Sequence, residues 1–263
     1  MPVRIVQCKT AASPSRLPGL DWAVNPYRGC GHACAYCYAQ DVTRFELGRP
    51  WGEVIEVRAN IVQRLKKELE NGVRGVYGVG TVTDPYQFLE TKFELTRGCL
   101  SVLKRACAEA SILTKSDLVL RDVDILRGWT TVEVGISLAS LRGDVASMLE
   151  PGAPSPENRL DALKRLSEEG VRTYLMAAPV IRGISDSEDD LRALVARASR
   201  AGAPVIMWDK FNPKPMATSR LVRMLVERGL SAPGLHTRDE VTRIRSILGS
   251  ECASAGIELL DAF

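Results

Sequence analysis

The sequence has no apolar run approaching the roughly 18 residues that a membrane span needs. Its opening stretch, MPVRIVQCKTAASPSRLPG, lacks the apolar core of a secretory signal. A spanning or exported protein is therefore not expected, and the cytoplasm is the default compartment. Blocks of like charge are missing too. The formal net charge is only +3, and Lys66-Lys67 is followed at once by Glu68 and Glu70, the pattern of a solvated helix face. A dedicated nucleic-acid binder carries a stronger basic stripe, so nucleic acid is not the favoured partner, although weak or local binding stays open. No internal repeat and no low-complexity tract stands out. The seven cysteines are an odd number in a long chain without a secretion signal. That argues against a disulfide scaffold and for metal binding or burial.

What is present is an alternation. Over 263 residues, 45% of them hydrophobic, the chain suits one large α/β domain or two small ones. Apolar positions at helical spacing over 58–71 stop at Asn71-Gly72, and Val73–Thr81 then reads as a buried strand. A helix over 91–109, a short strand Ser111–Thr114, a helix near 117–127 and a strand Thr131–Leu138 follow. Ser155-Pro156 opens a helix that Gly170 closes. Arg172–Val180 is a strand, Ser187–Ala201 a helix, Pro204–Phe211 a strand and 217–228 a helix. A final helix, Thr237–Ala255, opens with a Thr-x-x-Glu capping box, Thr237 and Glu240. With a first strand near Trp22–Tyr27, six strand–helix units predict a parallel sheet in a partial or full (β/α) barrel. The expected division is an N-terminal arm over 1–20, a (β/α)6 core over 21–235 and a C-terminal helical extension over 236–263.

The most informative stretch is NPYRGCGHACAYCYAQD, residues 25–41, with its spacing Cys30-x3-Cys34-x2-Cys37. Three thiols on one loop can meet at a single metal centre, and thiolates suit iron–sulfur clusters and zinc. No fourth cysteine is near in sequence. Three ligands on a four-iron cluster leave one iron open to a reactant, as an open position does in catalytic metal sites. A structural zinc would need a fourth ligand, which His32 could supply. A purely electron-transferring cluster would have all four irons capped.

This loop resembles the C-x3-C-x-aromatic-C signature of the radical S-adenosylmethionine (SAM) superfamily, with Tyr36 as the aromatic. NPYRGC, GTVTDPYQ (80–87), LTKS (113–116), LEPGAPSPENRL (149–160) and APVIRGISD (178–186) resemble the branch of that superfamily containing spore photoproduct lyase. The resemblance spans roughly 22–211. It implies a (β/α)6 partial TIM barrel, a 4Fe-4S cluster on Cys30, Cys34 and Cys37, and SAM as cosubstrate. It also implies a reductant such as ferredoxin or flavodoxin, and reductive cleavage of SAM to a 5′-deoxyadenosyl radical that takes hydrogen from an unassigned substrate. A DNA-lesion lyase and a non-catalytic metal-binding module are the alternatives.

Parallel α/β folds bind ligands at the carboxyl ends of their strands, and the candidate residues fall there. Lys115 offers a cation to the SAM carboxylate. Thr83 and Asp84 are placed near its ammonium and Ser137 near the ribose, while Tyr36 and the backbone around Val180 form an adenine wall. The resemblance assigns Lys115 and Ser137 to SAM-binding positions. Their plain readings are a solvated loop lysine for Lys115, a turn for Asp84-Pro85 and an ordinary strand-end residue for Ser137. Glu150 and Arg159 are expected to pair and brace the rim. Trp208 is either core or a substrate wall. Cys99, Cys107 and Cys252 read as small core residues. One departure from the branch concerns its hydrogen-donating cysteine, whose place aligns with Thr81. Tyr86 is then the candidate hydrogen relay, with a structural tyrosine as the plain reading.

Overall fold

The computed structural model describes residues 2–43 and 50–262. Eleven strands run in chain order through them: β1 (Val3–Val6), β2 (Ala12–Pro14), β3 (Trp22–Val24), β4 (Tyr27–Arg28), β5 (Ile55–Arg58), β6 (Val76–Val79), β7 (Glu109–Thr114), β8 (Val132–Ser137), β9 (Arg172–Val180), β10 (Val205–Lys210) and β11 (Glu258–Asp261). The main sheet has the order β11-β10-β9-β8-β7-β6-β3-β2. β3 and β6–β10 are the six parallel strands of the expected (β/α)6 partial barrel. β11 continues the parallel run at one edge, and β2 closes the other edge in antiparallel pairing. β1, β5 and β4 form a separate small sheet.

Local signals explain most helix ends. Ser155 Oγ accepts from Asn158 N at 3.2 Å with Pro156 in the first turn. The Thr237–Glu240 capping box is present in both directions. Gly170 and Gly256 close their helices with φ of 73° and 67°, a conformation costly for other residues. The sheet buries Val24, Tyr77, Ile112, Val134, Ile136, Leu175 and Ile206 in one continuous core. No described helix is long and apolar enough to cross a membrane.

Several sequence readings need correction. The 91–109 helix is two pieces, Glu90–Phe93 and Leu95–Arg105, because Glu94 adopts φ 50° between them. Cys107 follows that helix at φ 52° and is exposed rather than core, whereas Cys99 and Cys252 are buried. The 117–127 segment is a 3-10 turn, Asp117–Asp122, followed by the short helix Val123–Leu126. The first twenty residues, read as an arm, contribute β1 and β2, and Ala11 and Ala12 enter the core. The region after Thr237 holds the expected helix and also β11. Trp208 is core: its Nε1 donates to Asp261 at 2.8 Å, tying β10 to β11.

Behind the strand ends lies a buried charged scaffold. Glu90, fully buried, accepts from Tyr27 Oη at 2.5 Å, Thr96 N at 3.0 Å, Arg97 N at 3.2 Å and Arg121 Nη2 at 2.9 Å. Asp122 accepts from Arg97 and Arg121 at 2.9 and 2.8 Å. Every buried charge here has several partners, as buried ions require.

Candidate active site

The cysteine loop leaves the carboxyl end of β3 and is built from two tight turns. Ala33 N donates to Cys30 O and Cys37 N to Cys34 O, each at 3.2 Å. Gly29 at φ 79° lets the chain enter the first turn. Neighbouring segments then fix the loop. Ala35 N donates to Leu149 O at 2.8 Å and Gly152 N to His32 O at 3.1 Å. Gly31 N donates to Gln87 Oε1 at 2.9 Å, and Thr83 Oγ1 donates to Gly29 O at 2.7 Å. A Cβ on Gly152 would lie 2.1 Å from Gly31 O, so only glycine allows this backbone approach.

All three cysteines are free thiols. Burial pushes Cys30 up to about 12 and Cys34 well above the usual thiol range, with the Lys115 charge opposing the shift at Cys34. Burial also raises Cys37. Among the described residues, no three His, Cys, Asp or Glu side chains are gathered closely enough to cage one metal ion. His32 is taken up elsewhere, its Nδ1 lying 3.2 Å from Asp84 Oδ2. Trp51 packs against Cys30 and Cys37. Two buried donors beside this loop, Trp51 Nε1 and Arg220 Nε, have no hydrogen-bond partner among the described residues. Such donors are rare in native proteins and call for an acceptor. An iron–sulfur group is rich in sulfur acceptors, so the donor set and its surroundings fit one.

Facing the loop is a second cluster drawn from three segments. Lys115, just past β7, donates from Nζ to Ser137 Oγ at 2.9 Å and lies 3.9 Å from Glu150 Oε1. Its ammonium sits 5.6 Å from the Tyr36 ring centroid, close enough for cation–π attraction. Burial works against the ammonium, but Cys34 and Glu150 outweigh it and raise its pKa. Glu150 also accepts from Tyr36 Oη and pairs with Arg159 at 2.5 Å. The expected Glu150–Arg159 brace is therefore present. Glu150 occupies the centre of the cluster, a place the sequence reading did not give it. Its signal was the LEPGAPSPENRL segment, in which Pro151 and Gly152 turn the chain onto the cysteine loop.

Other predicted residues have other partners. Asp84 Oδ1 accepts from Thr114 Oγ1 at 2.7 Å and Tyr86 N at 2.9 Å, and Oδ2 accepts from Lys115 N at 2.8 Å. Burial alone would raise its pKa, yet His32 and these hydrogen bonds lower it to about 2. Asp84 thus links the cysteine loop to the end of β7. Thr83 accepts from Gln87 Nε2 at 2.9 Å while it donates to Gly29. Val180 is buried at the end of β9, and its carbonyl accepts from Phe211 N at 2.9 Å. Tyr86 is buried with its phenol raised by burial and by the adjacent Asp122. It belongs to the scaffold and lines an outer groove of about 770 Å³ with His32, Phe88 and Arg121. Thr81 Oγ1 accepts from Asn25 Nδ2 at 3.0 Å, and its carbonyl accepts from Tyr38 Oη at 2.7 Å. Tyr38, 39% exposed and adjacent to Cys37, is a second phenol at the loop, beside the Tyr36 hydroxyl that Glu150 holds. That adjacency was readable but unused.

Comparison with known proteins gives three findings. The profile of a family described as the Radical SAM superfamily matches residues 24–195. An uncharacterized protein of Methanocaldococcus jannaschii is 36% identical over 70% of this chain and 69% of its own. One of Mycobacterium tuberculosis is 32% identical over 75% of this chain, but over only 62% of its own length. Among solved structures, spore photoproduct lyase complexed with dinucleoside spore photoproduct superposes with a TM-score of 0.76. It covers 99% of this chain and 82% of that one at 15% identity, a likeness of fold.

Proposed function

The chain belongs to the radical SAM superfamily, and on that premise we propose that Cys30, Cys34 and Cys37 hold a 4Fe-4S cluster with one iron left for SAM. Membership implies an enzyme that uses SAM, an iron–sulfur cluster, a reductant and a substrate. When bound and reduced, a cluster of this kind supplies the electron that splits the SAM sulfonium and yields the radical that takes hydrogen from substrate.

The observation that carries the reading is the meeting of two incomplete sets. Three free thiols on a braced loop face a half-buried lysine whose ammonium, among the described residues, has Ser137, Glu150 and the Tyr36 ring beside it. In our reading Lys115 binds the SAM carboxylate, and Ser137 orients Lys115 and serves the ribose. Thr83 and Asp84 lie on the ammonium side, with Glu150 beside Lys115 and Tyr36 as a further carboxylate there. Asp84 and Thr83 hold the two sides of the site together. Tyr36 and the Val180 side chain wall the pocket and exclude water. Tyr38, rather than Tyr86, is the phenol placed to relay hydrogen. Ferredoxin or flavodoxin is the proposed reductant.

The test is anaerobic reconstitution with iron and sulfide, followed by SAM and dithionite. We expect about four irons per chain and formation of 5′-deoxyadenosine. Stoichiometric zinc without iron would overturn the reading and leave a metal-binding module. A DNA-lesion lyase is the second reading, favoured by the shared fold alone. In the same assay with a dinucleotide spore photoproduct we expect little or no repair, because the Thr81 hydroxyl cannot donate a hydrogen atom as a thiol does. Rapid cluster-dependent repair would establish the second reading.

A further inference from the structure

The helix Pro215–Val226 comes from the last strand–helix unit of the barrel, yet it is fastened to the cysteine loop. Asp41, four residues beyond Cys37, accepts from Met216 N at 2.8 Å and Ala217 N at 3.1 Å, capping that helix. One turn on, Arg220 donates from Nη2 to Cys37 O and from Nη1 to Gln40 Oε1. Its guanidinium carbon lies 5.6 Å from the Trp51 ring centroid, and Trp51 itself packs on Cys30 and Cys37. The third nitrogen, Nε, is buried without a partner among the described residues. The carboxylate that acts on this cation, Asp41, is already committed to the helix N-terminus. Burial lowers the pKa of this guanidinium, and Cys37, Asp41 and Cys34 oppose that shift.

A guanidinium held this firmly, with one donor unused, is a poor surface ornament. We propose that Arg220 is a fixed positive charge and hydrogen-bond donor that belongs to the environment of the iron–sulfur group and raises its reduction potential. The inference rests on the assignment of Cys30, Cys34 and Cys37 as the cluster ligands. Its physics is direct. Reduction adds negative charge to a group already made anionic by three thiolates. A nearby cation stabilises the reduced form more than the oxidised form, and N–H donors to sulfur act in the same direction. The Trp51 ring covers one side of the half-buried guanidinium and reduces screening by water there. Arg220 is a positioning and electrostatic residue; it does not touch the reacting atoms of SAM.

The experiment is an anaerobic redox titration of the reconstituted full chain, with iron content measured on each sample. The variants are Arg220→Met, which keeps bulk without charge, and Arg220→Lys, which keeps charge without the planar fork. We expect wild-type iron in both variants. We expect the reduced-to-oxidised ratio of Arg220→Met at a fixed poise to fall about tenfold, a shift of about 59 mV to lower potential for a one-electron couple. Arg220→Lys should lie between that value and wild type. An Arg220→Met potential equal to wild type overturns the assignment. So does an Arg220→Lys potential as low as Arg220→Met, or equal loss of iron in both variants, which would make Arg220 a clamp and not a charge. Failure of the wild-type chain to assemble any iron–sulfur group would instead overturn the ligand assignment beneath it.

Discussion

Two buried charged networks sit at the strand ends of this barrel, and they differ in one respect. Around Glu90 and Asp122 each carboxylate meets several donors from Tyr27, Thr96, Arg97 and Arg121. Around the cysteine loop the set is unfinished. Among the described residues, Lys115 has one short hydrogen bond from its ammonium, and Trp51 and Arg220 each keep a buried donor without an acceptor. Burying a polar group unpaired costs about 1–3 kcal/mol. The charged groups of the first network are all paired, whereas the donors of the second are the ones a bound sulfur-rich group would satisfy. Charge and burial alone would not separate scaffold from site. Completeness of pairing does.

The comparison can be broken most severely at the thiols. Replacing Cys30, Cys34 and Cys37 together with Ala should abolish iron binding while leaving far-UV circular dichroism near wild type. Loss of secondary structure with the iron would mean that the loop is scaffold after all. Next in size is the closed network. Glu90→Ala leaves the buried Tyr27 hydroxyl and the Thr96 amide without their acceptor and should lower unfolding free energy by about 1–3 kcal/mol in urea titrations. SAM affinity of the folded protein should hold. An unchanged urea midpoint would remove the distinction between the networks. Lys115→Ala should do the reverse, weakening SAM binding about ten- to hundredfold by loss of a charge-assisted hydrogen bond without loss of iron. Calorimetric affinity equal to wild type would make Lys115 a mere partner of Glu150.

The smallest effect belongs to Asp84, the link between the cysteine loop and the end of β7. Its folded-state pKa of about 2 lies below the ordinary 3.8. Its stabilisation is therefore complete above roughly pH 4 and lost as pH falls toward 2, on the order of 2 kcal/mol. Asp84→Asn should flatten that part of the stability curve, and a slope equal to wild type would show that Asp84 is not held as described.

The (β/α)6 order was legible because its signals are local: alternating apolar runs, the Ser155-Pro156 start, the Thr237–Glu240 box and closing glycines. β11 was missed because Glu258–Asp261 is short and acquires strand character only by pairing with β10. The break at Glu94 was invisible because nothing in a glutamate announces φ 50°. At the site, residue types were readable but their commitments were not. The sequence offers Asp84 and Glu150 as two carboxylates. Only tertiary contacts decide that the first ties the cysteine loop to the end of β7 and that the second joins Tyr36, Arg159 and Lys115. Tyr86 and Tyr38 differ in the same way, one held in the scaffold and the other on the loop.

The fastening of the cysteine loop has a temporal side. Its partners on the Pro215–Val226 helix lie 175–183 positions further along the chain. At about 5–20 residues per second of synthesis, roughly 10–40 s separate the emergence of the cysteines from that of Arg220 and its helix. During that interval the three thiols exist on a nascent chain without their clamp, open to oxidation or to stray metal. The contacts between this loop and the helix thus form only once the sixth strand–helix unit has been made, and a chain ending before residue 215 would carry the loop without them.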